Sequence, residues 1–234
     1  VIDGAAPGPL GGRGAVYDGL AVPGGAAPER PGRGISATDL HDVFLEGLTV
    51  RDVHYGIVMH RSSRMVIRRC HIYGVDYGIT WTNNEPLTED NLVADCLIEG
   101  PSTWPRTKGI EGARGIQASG IGHVCCYNRI RGFADGIDTF KAPQCSAIDI
   151  YGNEISEMTD DGIEADYSQH NVRIFRNRLT NCYQGISEQP VFGGPVYIFR
   201  NVMYNVGREV FKIHNSPSGC LMFHNTTVKA GIPL

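Results

Sequence analysis

Apolar residues in this chain recur at two spacings, one short and one long. Within short segments they alternate with polar residues, which is strand periodicity. Between segments they return about every 24 residues. The phase is set by five tripeptides ending in Asn128, Asn153, Asn177, Asn201 and Asn225, at steps of 25, 24, 24 and 24. Ile67, Val93, Cys125, Ile150, Ile174, Ile198 and Met222 stand three places before this marker or its earlier equivalents, and Ile72, Ile98, Ile130, Ile155, Leu179 and Met203 stand two places after. Read backward, the marker falls on Cys96, Cys70 and Gly47. A Gly-Ile pair trails it at Gly56, Gly78, Gly136, Gly162 and Gly185, and recurs at Gly115 displaced by an insertion. No helical stripe or heptad appears. A fixed period of this length means stacked repeats. Three short strands per coil predict an all-β fold, a single-stranded right-handed parallel β-helix (a solenoid) of about eight coils.

The markers then have structural duties. An Asn amide is both donor and acceptor, so a row of them can bond from coil to coil, and Asn tolerates left-handed backbone. Cys70 and Cys96 share that row and are expected to stack as buried thiols. Gly before Ile allows close backbone approach. Among the scattered histidines His41, His54, His71, His123 and His170, His123 falls in an inward column and reads as a packed residue.

Composition narrows the picture. The 234 residues include 30 Gly and 13 Pro, with a net charge of -4. Charge this small gives no case for nucleic acid or an acidic membrane as partner. No apolar run is long enough to span a bilayer. The start, VIDGAAPGPL, is not a signal peptide. The expected organisation is one β-helix domain over 1–234, a fragment lacking one or both caps, with a Gly/Ala/Pro-rich loop at 5–34. Seven cysteines without zinc spacing argue against a dense disulfide framework.

Stacking turns sequence distance into contact. The row after the Gly-Ile pair reads Val58, Thr80, Gln117, Asp138, Glu164, Ser187 and faces outward. Two residues on, it reads His60, Thr82, Ser119, Phe140, Asp166, Gln189. Asp135 and Asp161 stack just before the pair, with Asp160 beside them. Six carboxylates thus fall in two adjacent coils, and like charges this close need protons, a cation or water. Glu188 and Lys212 are expected to share a row, turned outward by a bulge because a buried ion pair is costly. Arg208 and His214 lie nearby. Trp104, in the insertion 99–113, is a candidate for stacking on a sugar ring.

The Asn rows and Gly-Ile columns resemble the parallel β-helix repeat proteins of the pectate-lyase-like superfamily, over about Val43 to Thr227. The segments DGIDTFK and DDGIE resemble the calcium site of one pectate lyase family. That resemblance implies a calcium-assisted polysaccharide lyase: Asp135, Asp160, Asp161 and Glu164 hold Ca2+, and Lys212, or the nearer Lys141, takes the proton alpha to a uronate carboxyl. Glu164 departs from the pattern, which prefers Asp. A second reading is a glycoside hydrolase using Asp138, Glu164 and Asp166 as paired carboxylates. The catalytic set is Lys212, Asp138, Glu164, Asp166 and His214. The substrate-binding set is Arg208, Gln189, Glu188, Trp104 and Lys141. A third reading is a solvated acidic stripe or a calcium site that only stiffens the stack. A fourth is a non-catalytic, glycan-binding adhesin, which would tend to trimerise. The expected partner is an acidic polysaccharide or oligosaccharide, and the expected location is a bacterial secreted, periplasmic or surface protein, monomer or trimer.

Overall fold

The computed structural model describes residues 2–3, 32–81, 88–105, 112–139 and 145–228. Lys141, Thr82, Phe140 and most of the 5–34 loop lie outside them. Among the described residues every regular element is a strand, most of them short, and the strand pairings are parallel. The fold is the expected right-handed parallel β-helix. Each coil visits three faces.

The first face is an eight-stranded sheet running from Phe44–Glu46 to Cys220–Phe223. The second runs from Ile2–Asp3 through strands such as Leu97–Glu99 and Arg129–Arg131 to Thr226–Val228. The third contains Arg33–Thr38, Tyr55–His60, Tyr77–Trp81, Arg114–Gln117, Asp135–Asp138 and Phe211–Lys212. In two coils the second and third faces fuse into one long strand, Glu154–Glu164 and Arg178–Ser187. Residues 33 and 34 belong to a strand, so the expected loop ends before them. The inward columns supply the core: Ile67, Val93, Cys125, Ile150, Ile174 and Ile198 from the first face, and Ile72, Ile98, Ile130, Ile155, Leu179 and Met203 from the second, are all buried.

The Asn row forms a continuous ladder. Asn128 Nδ2 donates to Asn153 Oδ1 at 3.0 Å, Asn153 to Asn177 at 2.9 Å, Asn177 to Asn201 at 3.1 Å and Asn201 to Asn225 at 3.0 Å. Each Oδ1 also accepts the backbone N–H of the Asn before it. Two corrections follow. The left-handed residue is the one preceding the ladder position, at Arg69, Asp95, Tyr127, Gly152, Arg176, Arg200 and His224. The Asn side chains are there for bonding, not for left-handed backbone. And Gly47, also left-handed, aligns with Arg69, so the first coil's ladder position is Leu48.

Outside the ladder, Tyr151, Phe175, Phe199 and Phe223 stack at 4.9, 5.0 and 5.1 Å. Cys70 and Cys96 are both buried, and each thiol donates to a strand carbonyl. All seven cysteines are free thiols.

The Gly column lies within the third-face strands, one residue after their start, where successive coils pass close together. A Cβ on Gly136 would stand 2.5 Å from the Gly162 carbonyl oxygen and 2.6 Å from a methyl of Ile155. No side chain fits there, so this strand position requires glycine. His123 is fully buried and neutral. It stacks on Trp81 at 5.1 Å and accepts the Asn91 N–H, and burial drives its pKa down to about 4.

Candidate functional site

The third face gathers the acids through two outward rows. The row after the Gly-Ile pair pairs Val58, Thr80, Gln117, Asp138, Glu164 and Ser187 in register, as the repeat implies. Its next member is Lys212, which pairs with Ser187 because Val210 and Phe211 stand where other coils carry Gly-Ile. The expected pairing of Lys212 with Glu188 is therefore off by one. The row before the Gly contains Tyr55, Tyr77, Arg114, Asp135, Asp161 and Gln184.

Arg114 is the residue that sequence reasoning passed over. It precedes the displaced Gly115-Ile116 pair, and that position was the available signal. Its guanidinium is buried and makes an ion pair with Asp138, with Asp135 at 3.9 Å and Glu164 at 4.0 Å. At the other end Lys212 Nζ donates to Asp161 Oδ2 at 2.8 Å. Gln184 Nε2 donates to Asp160 Oδ1 at 3.2 Å, and the Asp161 N–H donates to Asp135 Oδ1 at 3.1 Å. Asp166 Oδ1 accepts from Ser187 Oγ and from the Gln189 N–H, both at 2.7 Å.

Burial sets the titration. Asp138 has no exposed surface, and Asp135, Asp161 and Asp166 are nearly as covered. Removal from water pushes Asp135 up to about 8, reinforced by the charge of Glu164. It pushes Asp161 up to about 8 as well, with Asp135 and Asp160 adding to it and Lys212 opposing. Burial, then the charge of Asp166, raises Glu164 to about 7. Asp166 rises less, to about 6, because Ser187 and Gln189 bond its charged form. The charge of Asp166 also acts on Glu164, so the two carboxyls titrate as a pair. Burial acts to lower Lys212, but the bond to Asp161 outweighs it and holds the ammonium above its ordinary value.

The remaining candidates separate. Glu188 has no exposed surface; it points into the core towards Cys220, and burial raises it to about 7. This corrects its expected place in the groove: strict alternation holds here and no bulge turns it out. Arg208 and His214 are exposed and gather on Glu209, at 3.9 and 3.5 Å, rather than on the acids. Trp104 is half-buried, and its ring would meet a Cβ on Gly207 at 3.1 Å. Trp104 therefore packs at the corner between the second and third faces.

Two acid trios bring ligand oxygens within 4.8 Å of one another, Asp135–Asp138–Glu164 and Asp135–Asp160–Asp161. Clustered acids of this kind can bind a metal ion. Arg114 already occupies the first trio. In the second, Asp161 Oδ1 is buried and has no hydrogen-bond partner, so that trio fits a cation better. Calcium would draw further oxygens from outside it.

No protein-family model matches the sequence, and a search of curated proteins finds no similar sequence. Solved structures share the fold. An alginate lyase from Paenibacillus sp. str. FPU-7 is 13% identical with a TM-score of 0.63, over 86% of this chain and 74% of that one. A GH136 lacto-N-biosidase from Eubacterium ramulus is 16% identical with a TM-score of 0.51, over 88% of this chain and 47% of its own. Its selenomethionine derivative gives 14% and 0.50. The chain spans less than half the length of the lacto-N-biosidase. At these identities the likeness is one of fold. The shared fold is the right-handed parallel β-helix.

Proposed function

We propose that the chain is a carbohydrate-active enzyme that cleaves a polysaccharide at the Glu164–Asp166 pair. One observation carries the reading. Asp138 is held by Arg114, Asp161 by Lys212 and Asp160 by Gln184, while among the described residues Glu164 has no cation in hydrogen-bond contact and burial with the charge of Asp166 raises it to about 7. A carboxyl that keeps its proton at working pH is the general acid a glycosidic bond needs, and an adjacent carboxylate is its partner. Glu164 is the acid in this reading, with Asp166 or Asp138 as the second carboxyl. Hydrolysis is the chemistry this arrangement favours.

β-Elimination on an acidic polysaccharide is the second reading. It is favoured by the Asp135–Asp160–Asp161 trio, whose orphan oxygen suits Ca2+, and by the shared fold with an alginate lyase. When bound there, calcium would neutralise a uronate carboxyl. Lys212 is a poor base for this route, because its contact with Asp161 keeps it protonated. It serves better as a fixed positive charge. With this reading goes a bacterial protein that is secreted, periplasmic or on the cell surface.

The test is a screen of neutral and uronate-containing glycans with and without calcium. Reducing ends without an unsaturated product identify hydrolysis, and a product absorbing in the ultraviolet identifies elimination. Retained turnover in Asp161→Ala plus Glu164→Ala would sink the site assignment. For hydrolysis, activity should fall on both sides of an optimum between about 6 and about 7, the values of Asp166 and Glu164.

A further inference from the structure

A cleft on the second face lies apart from the acid cluster. Its volume is about 320 Å³, and its polar lining is Tyr73, Glu99, Ser102, Arg131 and Glu157. It runs from Gly74 to Glu157, three coil steps or about 14 Å along the solenoid axis. A smaller depression of about 260 Å³ continues it and shares Glu99 and Arg131. Ser102 belongs to the stem of the 99–113 insertion and is tied down by its N–H, which donates to the Gly132 carbonyl at 2.8 Å.

Two further observations point to a ligand. Ser102 is 6% exposed, and its Oγ is buried with no hydrogen-bond partner. A buried hydroxyl without a partner is costly and asks for something to bond. The second concerns the corner. Asp52, Gly74, Gly132, Asn181 and Asn205 all take left-handed backbone there, and these are the residue types that tolerate it. Glu157 occupies the same corner position at φ 62. Its side chain lines the cleft, while its backbone is held in a conformation that suits Asn or Gly better. Local rules tend to be broken where function needs a particular side chain.

We infer that this cleft is a second glycan-binding site, separate from the cleavage site, and that it takes a neutral oligosaccharide. Tyr73 offers an aromatic face. Glu99, Glu157 and Ser102 offer acceptors and a hydroxyl, and Arg131 offers donors. Glu99 is already bridged to His71 at 2.7 Å and to Arg131, which fixes the polar rim before any ligand arrives. Two carboxylates against one guanidinium leave the lining negative, so a uronate would be repelled. This inference goes beyond the cleavage reading and is measured without turnover, so either can fail alone.

The experiment is a backbone-amide NMR titration of the whole chain with cellotetraose, maltotetraose and xylotetraose, set against tetragalacturonate. At about 5 mM ligand, millimolar binding registers. Shifts at Tyr73, Glu99, Ser102, Arg131 and Glu157 with a neutral tetrasaccharide are expected. Glu157→Asn should raise the melting temperature, since Asn accepts the left-handed backbone, and weaken binding about fivefold, the equivalent of one hydrogen bond. A merely structural Glu157 would give the first effect without the second. No shift with any neutral probe, shifts located elsewhere, tighter binding of tetragalacturonate, or unchanged affinity in Glu157→Asn would each overturn the inference.

Discussion

The Asn ladder and the acid cluster are the same device built from different side chains. Both stack like residues on successive coils. An amide has an acceptor and a donor, so Asn153 gives to Asn177 and receives from Asn128, and the row closes on itself. A carboxylate has only acceptors. Asp135 above Asp161, or Asp138 above Glu164, cannot satisfy each other. Such rows must import positive charge or protons, and here they do both, through Arg114, Lys212 and raised pKa values. Self-sufficient rows make scaffold, while rows that need something from outside make a place where chemistry can happen.

Breaking each region should expose this difference. The largest effect belongs to Glu164, beside Asp166. Glu164→Gln should cut turnover by roughly 10²–10⁴-fold while leaving the melting temperature unchanged or higher, because one buried charge is lost. Full activity in that variant would remove Glu164 from the chemistry. Next comes the imported charge. Arg114→Leu takes the buried guanidinium away from Asp138, and should cost about 3–5 kcal/mol in denaturant unfolding at pH 7.5. The ladder follows. Asn153→Leu orphans bonding groups in two coils and should cost about 2–4 kcal/mol, with turnover per folded molecule unchanged. Lost activity at normal stability would mean the ladder does more than support.

The smallest effect is a pH slope. Asp135, Asp161, Glu164, Asp166 and Glu188 all titrate higher in the folded chain than unfolded. Their protonated forms favour folding below about pH 4, and that favour is lost as pH rises through about 6 to 8. The chain should therefore melt higher at pH 5 than at pH 8. Glu188→Gln should flatten part of that slope and stabilise the protein at pH 8 by roughly 2–3 kcal/mol. Equal melting temperatures at both pH values would show that the acids are better solvated than their burial implies.

Much of this was readable from periodicity. Ile137 and Ile163, Asp138 and Glu164 pair as the 24-residue period implies, because every coil must place the same residue on the same wall. The errors fall where a coil departs from the average. Arg114 was missed because the insertion at 99–113 moved its coil out of phase. Lys212 was placed one residue off because Val210 and Phe211 stand where other coils carry the Gly-Ile marker. Glu188 was expected to turn outward on energetic grounds, yet it stays inside beside Cys220.

The sequence alone determined the repeat, the inward columns, the Asn ladder and the two coils that hold the acids. These follow from local rules, strand alternation and a fixed period, that need no knowledge of the rest of the chain. Tertiary structure decided which acid meets which cation. That depends on register to within one residue and on burial, and both arise only when coils of unequal length are stacked against one another.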